Sequence, residues 1–268
     1  MLVDSHAHLA HPYLENNLDF IISSALKGDV DKIVTIGCTI KETKASIKIA
    51  EKYEGIYATA GLYPRDSRED SEADLSLEEK LQAIKELSSH LKVVAIGECG
   101  LDFSDVLPYE IDRGKKDQFE RFERQILLAE ETKKPLIIHS RKAKEETINT
   151  IKAYGKPIKA VWHCFSETSD IAEKALSLGL ILSFTGNITY TKNTELREIV
   201  KIVPIEKIMI ETDSPYLTPY KAREAKVKIN EPRYVKMVAE EIASIKGISF
   251  DEVARITSSN ASEFYIFA

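Results

Sequence analysis

The chain has 268 residues, of which 43% are hydrophobic and 30% charged, with 11 glycines and 9 prolines. That is the profile of a globular protein, and it excludes collagen-like, low-complexity and membrane-spanning chains; the length suits one large barrel domain over residues 1–268. The net charge is −6 at pH 7, which disfavours a protein that grips long duplex through its phosphates, so a nucleic-acid substrate would be single-stranded or bound at an end.

In chain order, the N-terminal Met1-Leu2-Val3-Asp4 has neither a basic flank nor an apolar core, so no signal peptide is expected there. Apolar runs then predict strands over 2–8, 32–38, 56–62, 93–98, 136–139, 160–163, 180–184 and 207–211. Helical stretches separate them. One follows Leu75, with Leu77, Leu81, Ile84 and Leu87 on its face; the clearest spans 115–134, with Phe119, Phe122, Ile126, Leu127 and Ala129 at helix-face spacing. Pro135 stops it before the fifth strand, and Pro157 precedes the sixth. A charged segment, 221–231, and two closing helices up to about Ala268 follow the eighth. No uncharged stretch approaches the roughly 20 residues of a membrane helix, so no membrane partner is expected.

Repeated strand–helix units imply parallel strands, and eight of them imply a closed TIM (β/α)8 barrel. Near-continuous apolar strands fit a sheet buried on both faces. An open, doubly wound sheet is the alternative. The polar residues at the C-terminal ends of nearly all the strands favour the barrel, because barrel active sites lie at that end.

His6 and His8 alternate along the first strand and so share a face. Further strand ends close on Glu98, His139 and His163, and the eighth runs into Glu211-Thr-Asp213. A carboxylate ending a buried strand is costly unless it is paired or binds a cation. Four imidazoles and two carboxylates on one rim therefore read as a metal centre of His6, His8, Glu98, His139, His163 and Asp213. Such a donor set suits zinc, manganese or iron better than magnesium. His11 and His90 read as solvated, and Cys99 and Cys164 as small buried hydrophobes turned away from the ligands they follow. Glu211 either orients a ligand or is simply a paired carboxylate. The cysteines, Cys38, Cys99 and Cys164, are odd in number and widely spaced, which argues for a reducing, cytoplasmic location. Nothing in the sequence calls for an obligate protein partner.

These motifs together resemble the TatD family of metal-dependent hydrolases. The matching segments are DSHAHL at 4–9, IGECGLD at 96–102, HSR at 139–141, HCFS at 163–166, FTGN at 184–187, ETDSPYLTP at 211–219, NEPRYV at 230–235 and TSSNASEFY at 257–265. The resemblance implies a deoxyribonuclease with two divalent ions (Mn, Zn or Mg) at the barrel mouth. It places the family's HxH pair on His6 and His8, its bridging carboxylate on Glu98, its later histidines on His139 and His163, and its last aspartate on Asp213. Two positions depart from the family pattern. Tyr63 stands where Gly-x-His-Pro would have histidine, and Ser166 where glycine follows His-Cys-Phe.

The expected chemistry is phosphodiester hydrolysis, exonuclease-like, by a metal-activated water. Glu98 bridges the metals and Asp213 accepts the water proton. Tyr63 and Arg141 meet the substrate, Arg141 as a fork on phosphate. Lys221, Arg223, Lys226 and Lys228 form the local basic patch. The alternatives are a metal-dependent ester or amide hydrolase, including aminoacyl-tRNA deacylation, and a metal-binding scaffold without catalysis.

Overall fold

The computed structural model describes residues 1–67, 72, 74–108 and 110–267. Ala268, with which the closing helices were expected to end, lies outside the described residues. Eight strands form one sheet: β1 (Leu2–Ala7), β2 (Val30–Thr35), β3 (Ile56–Ala60), β4 (Val93–Asp102), β5 (Leu136–Arg141), β6 (Ala160–Trp162), β7 (Ile181–Phe184) and β8 (Ile208–Ile210). They pair in parallel and in chain order, and the sheet meets itself at a bridge between Ala7 and Ser214. The His8 N–H donates to Ser214 O at 2.8 Å and the Asp213 N–H to His6 O at 2.9 Å across that seam. This is the (β/α)8 barrel. A doubly wound sheet would need the strand order to reverse, and here it does not.

Several strand ends differ from expectation. β4 runs on to Asp102 and β5 to Arg141, because the two strands keep pairing past the expected ligands, Gly100 opposite His139 and Asp102 opposite Arg141. The others are mostly shorter; β6 stops at Trp162 and β8 at Ile210, each just before the polar residue that turns into the mouth.

The period-two pattern sorts two layers. Val3, Val34, Tyr57, Val94, Ile137, Val161, Ile181 and Met209, one from each strand, pack with Ala261, Phe264 and Tyr265 of the last helix, Phe250–Tyr265. They fill the barrel interior at its N-terminal end. The neighbours Leu136, Ile138, Ala160, Trp162, Ile208 and Ile210 face the helices instead. Two residues beyond Ile137, Val161 and Met209, the same alternation brings His139, His163 and Glu211 into the barrel.

The helices follow local signals. Ser76 and Glu79 form a capping box for Leu77–Ser88, Thr39 caps Ile40–Lys52, and Ser249 caps the last helix; such a cap contributes about 1 kcal/mol. The helix Gly114–Thr132 buries Phe122, Ile126, Leu128 and Ala129, whereas Leu127, expected on that face, is 51% exposed. Five residues past Phe122 is about 140° around a helix, which turns Leu127 to solvent.

The same helix buries Gln118, Arg121 and Gln125, and these hold the loops after β3 and β4. Gln125 exchanges hydrogen bonds with Leu62, its Oε1 accepting from N at 2.8 Å and its Nε2 donating to O at 2.9 Å; Gln118 does the same for Asp102. A two-residue antiparallel ribbon, Asp66–Ser67 with Glu110–Ile111, was not expected from the sequence. Beside it the buried Asp66 accepts from Arg121 at 2.7 Å, from Lys80 at 2.9 Å and from Arg113. Burial raises the Asp66 carboxyl, but the Arg121 and Lys80 cations outweigh it and hold it below the ordinary carboxylate range.

Asp66→Asn leaves those cations without their anion and is expected to cost about 3–5 kcal/mol in urea unfolding; a loss below about 1 kcal/mol would show the cluster to be structurally neutral. Because the folded pKa is depressed, the contribution is complete above the unfolded value near 3.8 and fades as pH falls below it. The variant should therefore differ most from the wild type at neutral pH and least in acid.

Candidate metal centre

β1 carries His6 into the mouth, and His8 follows directly after the strand; the register with β2 is irregular between Asp4 and Ala7. The buried Asp4 ties this strand to the segment after β8: its carboxylate accepts from Thr212 N at 2.8 Å and from Thr212 Oγ1 at 2.6 Å. Burial pushes the Asp4 carboxyl up to about 8, with the Thr212 hydrogen bonds opposing. Asp213 follows immediately, its φ of 53° turning it back toward the histidines. β4 delivers Glu98 between Gly97 and Gly100, whose φ values are 127° and 144°. A Cβ on Gly97 would sit 2.7 Å from Ile137 O, and one on Gly100 2.0 Å from His139 O, so only glycine lets β4 approach β5 this closely.

The result is a single cluster around the Glu98 carboxylate, which is 3% exposed. Glu98 Oε1 lies 2.8 Å from His139 Nδ1 and 2.9 Å from His163 Nε2. Glu98 Oε2 lies 3.4 Å from His6 Nε2 and 3.8 Å from His8 Nε2. Asp213 Oδ1 completes the second group, 3.3 Å from His8 Nε2 and 3.7 Å from His6 Nε2. All six expected ligands are thus brought together, and the two oxygens of Glu98 face two different imidazole pairs. Burial raises the Glu98 carboxyl, but His163, His139 and His6 outweigh it and hold it well below its usual range. Burial lowers His163 and His139, yet Glu98 and Glu211 for the first, and Asp102 and Glu98 for the second, carry both imidazoles above their ordinary value. The same lone pairs suit a divalent cation, whose binding displaces such protons. The donors are imidazole nitrogens and carboxylate oxygens, a set that fits zinc, manganese or iron.

A surrounding layer orients these donors. Glu211 Oε1 lies 3.3 Å from His163 Nδ1 and accepts from Cys164 N at 2.7 Å, while its Oε2 accepts from Ser183 Oγ at 2.6 Å. Of the two readings of Glu211, the geometry favours orientation of His163. His139 Nε2 faces Asp102 Oδ2 at 3.4 Å and the Tyr63 hydroxyl at 3.1 Å, and that hydroxyl donates to Asp102 at 3.1 Å. Tyr63, expected at the substrate, therefore sits behind His139. Cys38 donates its thiol to Glu98 Oε2 at 3.6 Å. Asp102 and Asp4 were missed in the sequence, although period two from Glu98 already puts Asp102 on its face.

The other expected residues lie further out. Arg141 is exposed at the end of β5, and among the described residues its guanidinium has no ion pair. Lys221, Arg223, Lys226 and Lys228 are exposed, with the Arg223 guanidinium 4.5 Å from the Tyr190 ring centre. Ser166 is exposed, beyond the buried Phe165. His11 and His90 stay outside the cluster as expected, but both are engaged: His11 Nδ1 accepts from Tyr13 N at 3.2 Å, and His90 pairs with Glu51 at 3.2 Å. Cys99 is buried, whereas Cys164 is only partly so, because its φ of 48° ends the alternation after His163.

The sequence profile described as "TatD related DNase" matches residues 3–266. The chain is 39% identical to the uncharacterised metal-dependent hydrolase YabD of Bacillus subtilis, covering 99% of each chain. It is 30% identical to a protein of Escherichia fergusonii named 3'-5' ssDNA/RNA exonuclease TatD, covering 98% of each. A crystal structure of the TatD homologue YJJV from Escherichia coli superposes with a TM-score of 0.85 at 26% identity, covering 100% of this chain and 98% of that one. With that agreement over the whole barrel, the chain belongs to the TatD family of metal-dependent hydrolases.

Proposed function

We propose that this protein is a two-metal phosphodiesterase that hydrolyses DNA, exonuclease-like, with residues 1–268 forming one catalytic domain. The observation that carries the reading is Glu98, whose two oxygens face separate donor groups, His139 with His163 on one side and His6, His8 and Asp213 on the other. Glu98, His6, His8, His139, His163 and Asp213 would together hold the divalent ions. Bound divalent ions supply Lewis acidity toward a phosphodiester and lower the pKa of a water. Asp213, its side chain 13% exposed, is the carboxylate with access to the mouth, and it accepts the proton as water oxygen attacks phosphorus and the P–O bond to the leaving oxygen breaks. Glu211 and Asp102 hold His163 and His139 in orientation. Arg141, exposed at the rim, binds a phosphate oxygen. The naming of the Escherichia fergusonii relative as an exonuclease supports nucleic acid as the substrate. The three cysteines are free, which supports a reducing, cytoplasmic setting.

End-labelled single-stranded DNA is the direct test, and shortening of the label by the purified protein is the expected result. Asp213→Asn should lower turnover by about 10²–10⁴-fold. Glu98→Ala should abolish turnover and reduce metal content, both variants keeping the wild-type circular dichroism. Retained turnover in either would remove that residue from the mechanism.

Activity should vanish in excess chelator and return with divalent ions, Mn²⁺ restoring more than Mg²⁺, because four imidazoles are poor partners for a cation that prefers oxygen. Full activity after dialysis against chelator would rule out the metal mechanism.

Tyr63→Phe removes the hydroxyl that joins Asp102 to His139 and is expected to weaken metal binding by about 10–100-fold, the usual effect of losing a partner behind a ligand. Titration calorimetry with Mn²⁺ reads this directly. If Tyr63→Phe and Tyr63→His both bind metal and turn over within about twofold of the wild type, Tyr63 is packing only.

A further inference from the structure

One side of the mouth carries a run of aromatic rings that the metal chemistry does not use. It starts at the candidate ligand His8, whose ring lies 6.0 Å from Tyr216 at 73°. Tyr216 in turn lies 5.6 Å from His11 at 77°, and His11 lies 4.8 Å from Tyr13 at 55°. The tyrosines face water, Tyr216 49% and Tyr13 64% exposed. They are nonetheless held in place. The Tyr216 N–H donates to Asp213 O at 2.9 Å, and its carbonyl accepts from the buried Asn230 Nδ2 at 2.7 Å. His11 is pinned by the bond from Tyr13 N that starts the helix Pro12–Glu15. With the backbone of each tyrosine held in this way, only the two side-chain torsions remain to be ordered when a flat partner stacks on its ring.

The partner must be flat, aromatic and within reach of the metal centre. A nucleobase meets each condition, and base–aromatic stacking tolerates any sequence because every base has a π-face. It also resolves the charge problem, since a protein of net charge −6 has little general pull on phosphates. We propose that Tyr216, His11 and Tyr13 form a stacking track for unpaired bases of the strand whose phosphodiester enters the metal centre. The proposal rests on the phosphodiesterase reading and deepens it: bases inside a duplex have both faces covered, so only a single strand or a frayed end can use the track.

The test uses the metal-loaded protein and two short single strands, one of thymidines around a single 2-aminopurine, the other with abasic tetrahydrofuran residues in place of the flanking bases. Stopped-flow mixing reads binding before any hydrolysis. The base-bearing strand should bind more tightly than the abasic one, and its 2-aminopurine fluorescence should be quenched. Tyr216→Ala and Tyr13→Ala should each weaken the base-bearing strand by roughly 5- to 100-fold, toward the abasic affinity, while metal content is retained. Tyr216→Phe and Tyr13→Phe, which keep the ring, should bind as the wild type does. Equal binding of the two strands by the wild type, or alanine variants that weaken both strands alike, would overturn the track. Binding with quenching but no cleavage would instead leave the track standing and defeat the phosphodiesterase reading, so the two fail separately.

Discussion

The whole mouth is organised by one buried carboxylate. Glu98 is almost entirely removed from water, a position that costs several kcal/mol for an unopposed charge. It is tolerable because imidazoles from β1, β5 and β6 surround it within hydrogen-bonding or ion-pair range. β1 is far from β5 and β6 in the chain, so the carboxylate is stable only if the barrel assembles in its own register. The glycines on either side of Glu98 serve the same end, letting β4 and β5 come closer than any side chain would allow.

Below the mouth the interior changes character layer by layer. At the bottom, one apolar side chain from each strand packs with Phe264 and Tyr265 of the last helix. Above it, Ser5, Ser183 and Glu211 form a small polar layer, and the Tyr265 hydroxyl donates to Ser5 O at 2.9 Å from beneath. The donors His6, His139 and His163 come next. Each layer supports the one above, and the carboxylates of Glu211 and Asp102, themselves held by that packing, orient His163 and His139. The Asp4–Thr212 pair does the same across the barrel seam, adding to the bridge at Ala7 and to the backbone bond from Asp213 N to His6 O.

The outer rim is organised differently. Its charges and rings, Arg141, the Lys221–Lys228 cations and the tyrosines near His8, are exposed and belong to loops and strand ends. The interior thus supplies rigid donors and the loops supply whatever meets a substrate, the usual division in barrels.

The strand–helix alternation and the six clustered donors were legible in the sequence, because both are local: apolar runs of period two or 3.6, and a polar residue at the end of a buried strand, carry their own physical signature. Leu127 shows the limit of that reading, since an apolar residue next to the buried stripe can still turn to solvent, as Leu127 does about 140° around from Phe122. Asp102 was legible in principle, two pleats beyond Glu98, but only if β4 continues to pair with β5, which depends on contacts across the sheet. Three things were decided by the tertiary structure alone. Glu98 divides its oxygens between two histidine pairs, Tyr63 turns behind His139 onto Asp102, and Glu211 selects His163. Each depends on distances between strands that sequence spacing does not encode, because a barrel sets them through shear, glycine-permitted approach and the packing of its interior layers.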